Sequence, residues 1–215
     1  MDIGKIIYML KLQDKMNSIV HKEWRVQGWQ FLRAAAIESA EGMEHVGWKW
    51  WKKQVMDIDQ VRLELVDIWH FILSDKILSL HDYEVVAKDI KDAIDQKNDV
   101  IVFDGKEYLL GKLSLLEKFE LTMGLSASRR VSIELFASML VDVEMDWDDL
   151  IKMYVGKNLL NEFRQLNGYK TGEYIKIWNG KEDNVVLMEI MESVKVIDGD
   201  VILEKLQQEY SKLER

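Results

Sequence analysis

No proline occurs anywhere in this 215-residue chain, against 12 glycines. Proline breaks helices and seeds turns, so its absence favours long helices over a turn-rich β fold. The apolar spacing agrees. Ile3, Ile6, Ile7 and Leu10 recur at steps of three and four, giving a first helix to about Asn17, with a turn over His21 to Trp24. A second helix is expected from near Gly28, carrying Phe31, Leu32, Ala35, Ala36 and Ala40 and ending around the aromatic run GWKWWKK. Asp57 or Asp59 can cap a third, which runs to about Leu80.

Further along, HDYEVVAKDIKDAI has a helical pattern. VIVFDGKEYLL alternates around an Asp-Gly pair, as a small hairpin or a loop would. LSLLEKFELTMGL and VSIELFASMLVDV predict two helices separated near Gly124. Asp146 opens a long helix through Leu166, ended by the Asn167-Gly168 C-cap pair. VVLMEIMESV is helical in pattern, and Ile202, Leu206, Tyr210 and Leu213 mark a last amphipathic helix. The expectation is an all-α helical bundle, a single domain over residues 1–215, with residues 75–145 a smaller, mobile subdomain.

Composition narrows the function. With 48% hydrophobic and 31% charged residues the chain can build a packed core. Its net charge of -9 argues against wrapping a nucleic-acid polymer, which needs clustered Lys and Arg. The absence of cysteine excludes disulfides, thiolate zinc sites and cysteine nucleophiles. The N-terminal apolar run is broken by Lys11, short of a signal peptide's core, and no stretch approaches the ~18 apolar residues of a membrane span. A cytoplasmic protein with no membrane partner is expected.

One stretch is anomalous. VRLELVDIWHF, residues 61–71, is apolar on nearly every side, yet holds Glu64 and Asp67. Three residues advance a helix by about 300°, so the two acids lie about 60° apart on one face, with His70 continuing the row. Glu38 and Glu41 repeat the spacing among small residues that let helices approach closely. Four carboxylates from two such helices can enter one cleft. Burying each unpaired would cost several kcal/mol, and neighbours ~4 Å apart repel by roughly 4 kcal/mol per pair at an effective dielectric near 20. A buried ion-pair network is one remedy, but no basic residue lies within either pair. Magnesium is the better one: a hard cation that takes carboxylate oxygens and is completed by substrate phosphates.

These residues carry a resemblance. LQDKMN, IESAE, GWKWWK, ELVDIWHFILS, YVGKNLLNEFRQLNGYKTGEY and WNGKEDN, in this order, resemble the dimeric all-α dUTPases, relatives of the dCTPase and MazG-type nucleotide pyrophosphohydrolases. The likeness covers about residues 5 to 75 and 146 to 190. It implies a homodimer that hydrolyses dUTP to dUMP and pyrophosphate, with dUDP also accepted and attack at the β-phosphorus. Glu38, Glu41, Glu64 and Asp67 would hold two or three Mg2+ ions. Glu38, or else Glu41, would orient or deprotonate the attacking water. Gln13 and Asn17 match the motif that reads the uracil edge, Trp50 an aromatic near the nucleotide, and His70 a contact to the deoxyribose 3'-hydroxyl. Lys157, Asn161 and Arg164 fall at 0, +4 and +7 on one helix face and would meet polyphosphate or sugar. Tyr169 and Lys170, past the helix end, would close over the phosphates, and Asn184 joins them. Two rivals stand beside this reading: a sister enzyme acting on dCTP or another nucleotide, and a non-enzymatic helical interaction protein whose acids form ion pairs.

Overall fold

A computed structural model describes residues 1–194 and 198–213. Among them the chain forms nine α-helices and two short hairpins. Helices α1 (Ile3–Val20), α2 (Phe31–Val46), α3 (Ile58–Leu80) and α4 (Tyr83–Gln96) come first. A hairpin of β1 (Val100–Phe103) and β2 (Lys106–Leu109) leads to α5 (Leu115–Ala127), α6 (Ile133–Asp142) and α7 (Trp147–Leu166). A second hairpin, β3 (Ile177–Trp178) with β4 (Lys181–Glu182), precedes α8 (Asp183–Ser193) and α9 (Gly199–Ser211). No helix among the described residues is long and apolar enough to cross a membrane.

Local chemistry sets the boundaries. Asp57, not Asp59, caps α3 by accepting from the Gln60 amide. Asp146 and Asp149 form a capping box at the start of α7, and Gly168, at φ +86°, turns the chain out of its end. The Asp104-Gly105 pair has positive φ at both residues, as a tight two-residue hairpin requires, and β1 pairs antiparallel with β2, Ile101 opposite Tyr108.

Three expectations need correction. Helix α2 starts at Phe31 rather than Gly28, because Gly28 sits at φ +67° outside the helix. Helix α5 runs through Gly124 to Ala127. That glycine is no terminator: a Cβ there would lie 3.2 Å from the Phe103 ring, so it lets the first hairpin lie close against the helix. The last helix ends at Ser211, leaving Leu213 outside it.

The apolar interior has two parts. The larger gathers α1 to α6 and the first half of α7, including Leu10, Trp69, Phe119, Phe136 and Tyr154. Residues 75–145 belong to it, through Val86 and Ile90 of α4 and the Trp69–Phe136 stack, ring centroids 4.8 Å apart. The smaller part joins Leu160 and Phe163 of α7 to Trp178, Leu187, Ile202 and Tyr210.

Helix α2 packs along α3 and also against α5. Its contact with α5 is possible only because residue 42 is glycine: a Cβ would fall 2.5 Å from the Phe119 ring, which is fully buried. Gly42→Ala is therefore expected to destabilise the fold by about 1–3 kcal/mol through overpacking, readable as a lower denaturation midpoint at unchanged slope.

Candidate active site

The α2–α3 contact brings acids together. Between them α2 offers small residues, Ala35 and Ser39, the latter turning its hydroxyl back to the Ala35 carbonyl at 2.7 Å. Glu38 and Glu41 of α2 and Glu64 of α3 each bring an oxygen within 4.8 Å of the others. Three convergent hard oxygens are a donor set that suits a divalent hard cation and gives a soft one nothing to hold. Asp67 stands outside this trio. Its Oδ2 accepts from Lys157 Nζ at 2.9 Å, so the lysine 90 positions along the chain is the counter-ion that no local spacing reveals.

Crowding changes the acidity of these groups. Burial, then repulsion from Asp67 and a bond to Glu64, pushes Glu38 up to about 8. Burial pushes Glu64 up to about 7, against the opposing pull of its bond to Glu38 and the charge of Lys157. The pair thus shares a proton near neutrality. His45, one turn beyond Glu41, puts Nε2 3.5 Å from Glu64 Oε1.

Cations face the acids across a cleft of about 610 Å³. Lys157, only 2% exposed, also donates to Asn184 Oδ1 at 2.8 Å. Arg164 makes a two-pronged bond to Asp183: Nε to Oδ2 and Nη2 to Oδ1, both 2.8 Å. It further donates to Asn161 Oδ1 at 3.0 Å and Asn184 Oδ1 at 3.2 Å, and its guanidinium carbon lies 5.8 Å from the Tyr169 ring centre. Burial opposes ionisation of Asp183, but the Arg164 bonds and charge and a 2.8 Å bond from the Tyr174 hydroxyl hold its carboxyl below the ordinary value. Both cations are thus pre-set before any ligand arrives.

The other sequence candidates lie elsewhere. Gln13, Asn17 and His70 are buried in a polar chain where α1, α3 and α7 meet, not on the acidic cleft. Trp50 is 78% exposed and packs edge-on against Trp51, ring centres 4.5 Å apart. Lys170 donates to the Val20 carbonyl at 3.0 Å and does not line the cleft, although its neighbour Tyr169 does. The cleft is also lined by residues absent from the sequence expectations, among them His45, Gln60, Lys176 and Glu182. His45 continues the Glu38–Glu41 row four positions on, and Asp183, which holds Arg164 from behind the cleft, sits beside the motif residue Asn184; both spacings are signals in the sequence.

Burial pushes His70 down to about 4. In the chain without metal, the buried imidazole and the acid pair then oppose one another with pH. The unfolded chain binds the His70 proton from about 6.5 downward, so that contribution to stability is lost as pH falls from about 6.5 toward 4. The folded chain holds the extra Glu38 and Glu64 protons, so their contribution is lost as pH rises from about 4.5 to 8. The two limbs overlap between about pH 4.5 and 6.5, where two carboxyl protons outweigh one imidazole proton, so melting temperature measured in chelator is expected to fall as pH rises from about 4.5 to 8. His70→Asn should steepen that fall below about pH 6.5, and Glu64→Gln should make it shallower.

A search among curated proteins finds no match. A protein-family description, dUTPase, matches residues 5–169, which include both carboxylate pairs and the Lys157–Arg164 row. The chain therefore belongs to the dUTPase family and is a dUTP diphosphatase, a hydrolase.

Proposed function

We propose that the cleft between α2, α3, α7 and α8 hydrolyses dUTP to dUMP and pyrophosphate with Mg2+, and that it also accepts dUDP. The observation that carries this reading is the opposition in one cleft of three convergent carboxylates and two pre-oriented cations, Lys157 buried and Arg164 largely so. Glu38, Glu41, Glu64 and Asp67 would hold the ions, two or three in number. Bound magnesium would offset polyphosphate charge and make water more acidic.

The chain's own groups do the rest. Glu38 takes the proton from the attacking water. Lys157 and Arg164 hold phosphate oxygens and stabilise charge on the leaving phosphate, with attack at the β-phosphorus. Tyr169 and Lys170 close over the phosphates. Gln13 and Asn17 read the uracil edge, His70 meets the 3'-hydroxyl, and Trp50 lies against the nucleotide. The exposed Trp48, Trp51, Val55 and Met56 support a homodimer, in which such a surface is covered.

Pyrophosphate release from dUTP, dCTP and dTTP, with and without magnesium, tests the reading. Magnesium-dependent release from dUTP well above the other two is expected. Preference for dCTP would assign a sister activity to the same acids. Hydrolysis in oxygen-18 water is expected to label pyrophosphate; label in dUMP would contradict β attack.

A further inference from the structure

Five polar side chains form one connected run through the interior where α1, α3 and α7 meet. His70 Nδ1 lies 2.7 Å from Gln13 Oε1, and the Tyr154 hydroxyl donates to the same oxygen at 2.9 Å. Gln13 Nε2 donates to Asn17 Oδ1 at 3.1 Å, and Asn17 Nδ2 to Ser74 Oγ at 3.0 Å. Ser74 Oγ in turn donates to the His70 carbonyl at 2.9 Å. All five side chains are buried, Ser74 completely.

Such a run has two polarities. Flipping both amides, moving the imidazole proton and rotating the hydroxyls would exchange every donor and acceptor along it. The Tyr154 end permits reversal, because its hydroxyl also lies 3.0 Å from the Met9 carbonyl and could donate there while accepting from Gln13. The Ser74 end permits it only by giving up the bond that Ser74 Oγ donates to the His70 carbonyl. A serine hydroxyl has one proton, and the carbonyl of His70 can only accept it. With that proton committed, Ser74 Oγ can only accept from Asn17. Asn17 must then turn its oxygen to Gln13, Gln13 must turn its oxygen to Tyr154 and His70, and His70 must carry its proton on Nδ1. His70 Nε2 has no partner within the buried run. In this polarity it is an unused lone pair; reversed, it would be a stranded N–H, the rarer and costlier orphan.

The polarity decides what a base meets. Gln13 keeps one N–H and Asn17 one oxygen lone pair to offer, a donor beside an acceptor. Uracil O4 and N3–H are their complement. Cytosine presents an amine and a bare N3, donor to donor and acceptor to acceptor, and would suit the reversed run. We propose that Ser74 is a specificity-setting positioning residue: it fixes the direction of this hydrogen-bonded run so that Gln13 and Asn17 present the uracil-complementary edge. The inference rests on the reading of those two amides as the base readers.

Three measurements test it. In Ser74→Ala the dUTP-to-dCTP ratio of kcat/KM is expected to fall about tenfold or more, with dCTP turnover rising, while Ser74→Thr keeps the ratio. An equal loss for both nucleotides, or an unchanged ratio, overturns the role of Ser74. Gln13→Ala and Asn17→Ala separate the two levels. If they collapse the ratio while Ser74→Ala does not, the base readers stand and the Ser74 role falls. If they leave the ratio intact, the base-reading assignment itself fails. Imidazole nitrogen NMR on the unaltered protein, with His70→Asn to assign the signal, needs no Ser74 variant to fold. A proton on Nδ1 is expected; a proton on Nε2 overturns the proposal.

Discussion

Glu64→Gln is expected to lower kcat for dUTP by about 100-fold or more while leaving the metal-free fold at least as stable as the parent. The two halves of this result have one cause. Glu64 is buried within 4.8 Å reach of Glu38 and Glu41, and burial raises its pKa, so its charge is a cost to the folded chain. Glutamine keeps the shape and can still bond to Glu38, but removes the charge. Melting temperature in chelator therefore stays level or rises. The rise that magnesium with a non-hydrolysable dUTP analogue produces in the parent should shrink sharply in the variant, since ligand stabilisation follows affinity for the folded form. Near-parental turnover at saturating magnesium would remove Glu64 from the site. A variant that does not fold would contradict the electrostatic cost assigned to its charge.

Asp183→Ala is expected to act in the opposite way, destabilising the protein by about 3–5 kcal/mol. At this chain length that is roughly a 10 °C fall in melting temperature. Asp183 is fully buried and holds Arg164 by two bonds while accepting a third from Tyr174. Its removal strands a largely buried guanidinium. Arg164 also supports Asn184, which supports Lys157, so the damage reaches the nucleotide as a higher KM for dUTP. Arg164→Lys keeps a charge but cannot reproduce the fork, and a smaller loss of the same kind is expected. A stable Asp183→Ala protein with unchanged KM would separate this ion pair from the cleft.

The sequence revealed what local spacing encodes. Helix α3 was legible from its apolar residues and the Asp57 cap, α7 from Asp146 and the Asn167-Gly168 ending, and the paired acids from their three-residue interval. What it hid depends on partners distant in the chain. Nothing near Asp67 announces Lys157, and nothing near Arg164 announces Asp183. Gly124 looked like a helix end because its reason for being glycine, the Phe103 ring, lies on another element. Gln13 and Asn17 were legible only through the motif they match, not as members of a buried run that includes Ser74 and Tyr154.

Helix α7 is seated in both interiors, with Leu150 and Tyr154 in the larger and Leu160 and Phe163 in the smaller. The carboxylates consequently hang on one mass of buried side chains, and the supports of Lys157 and Arg164, namely Asp183 and Asn184, on the other. The lesser mass has less burial to lose and is expected to give way first under mild denaturant. A half-dismantled protein is the expected result, its acids still gathered and the supports of Lys157 and Arg164 gone. Nucleotide affinity should then be lost while the Trp69–Phe136 stack still stands, and the amides of α8 and α9 should exchange with solvent ahead of those in α3.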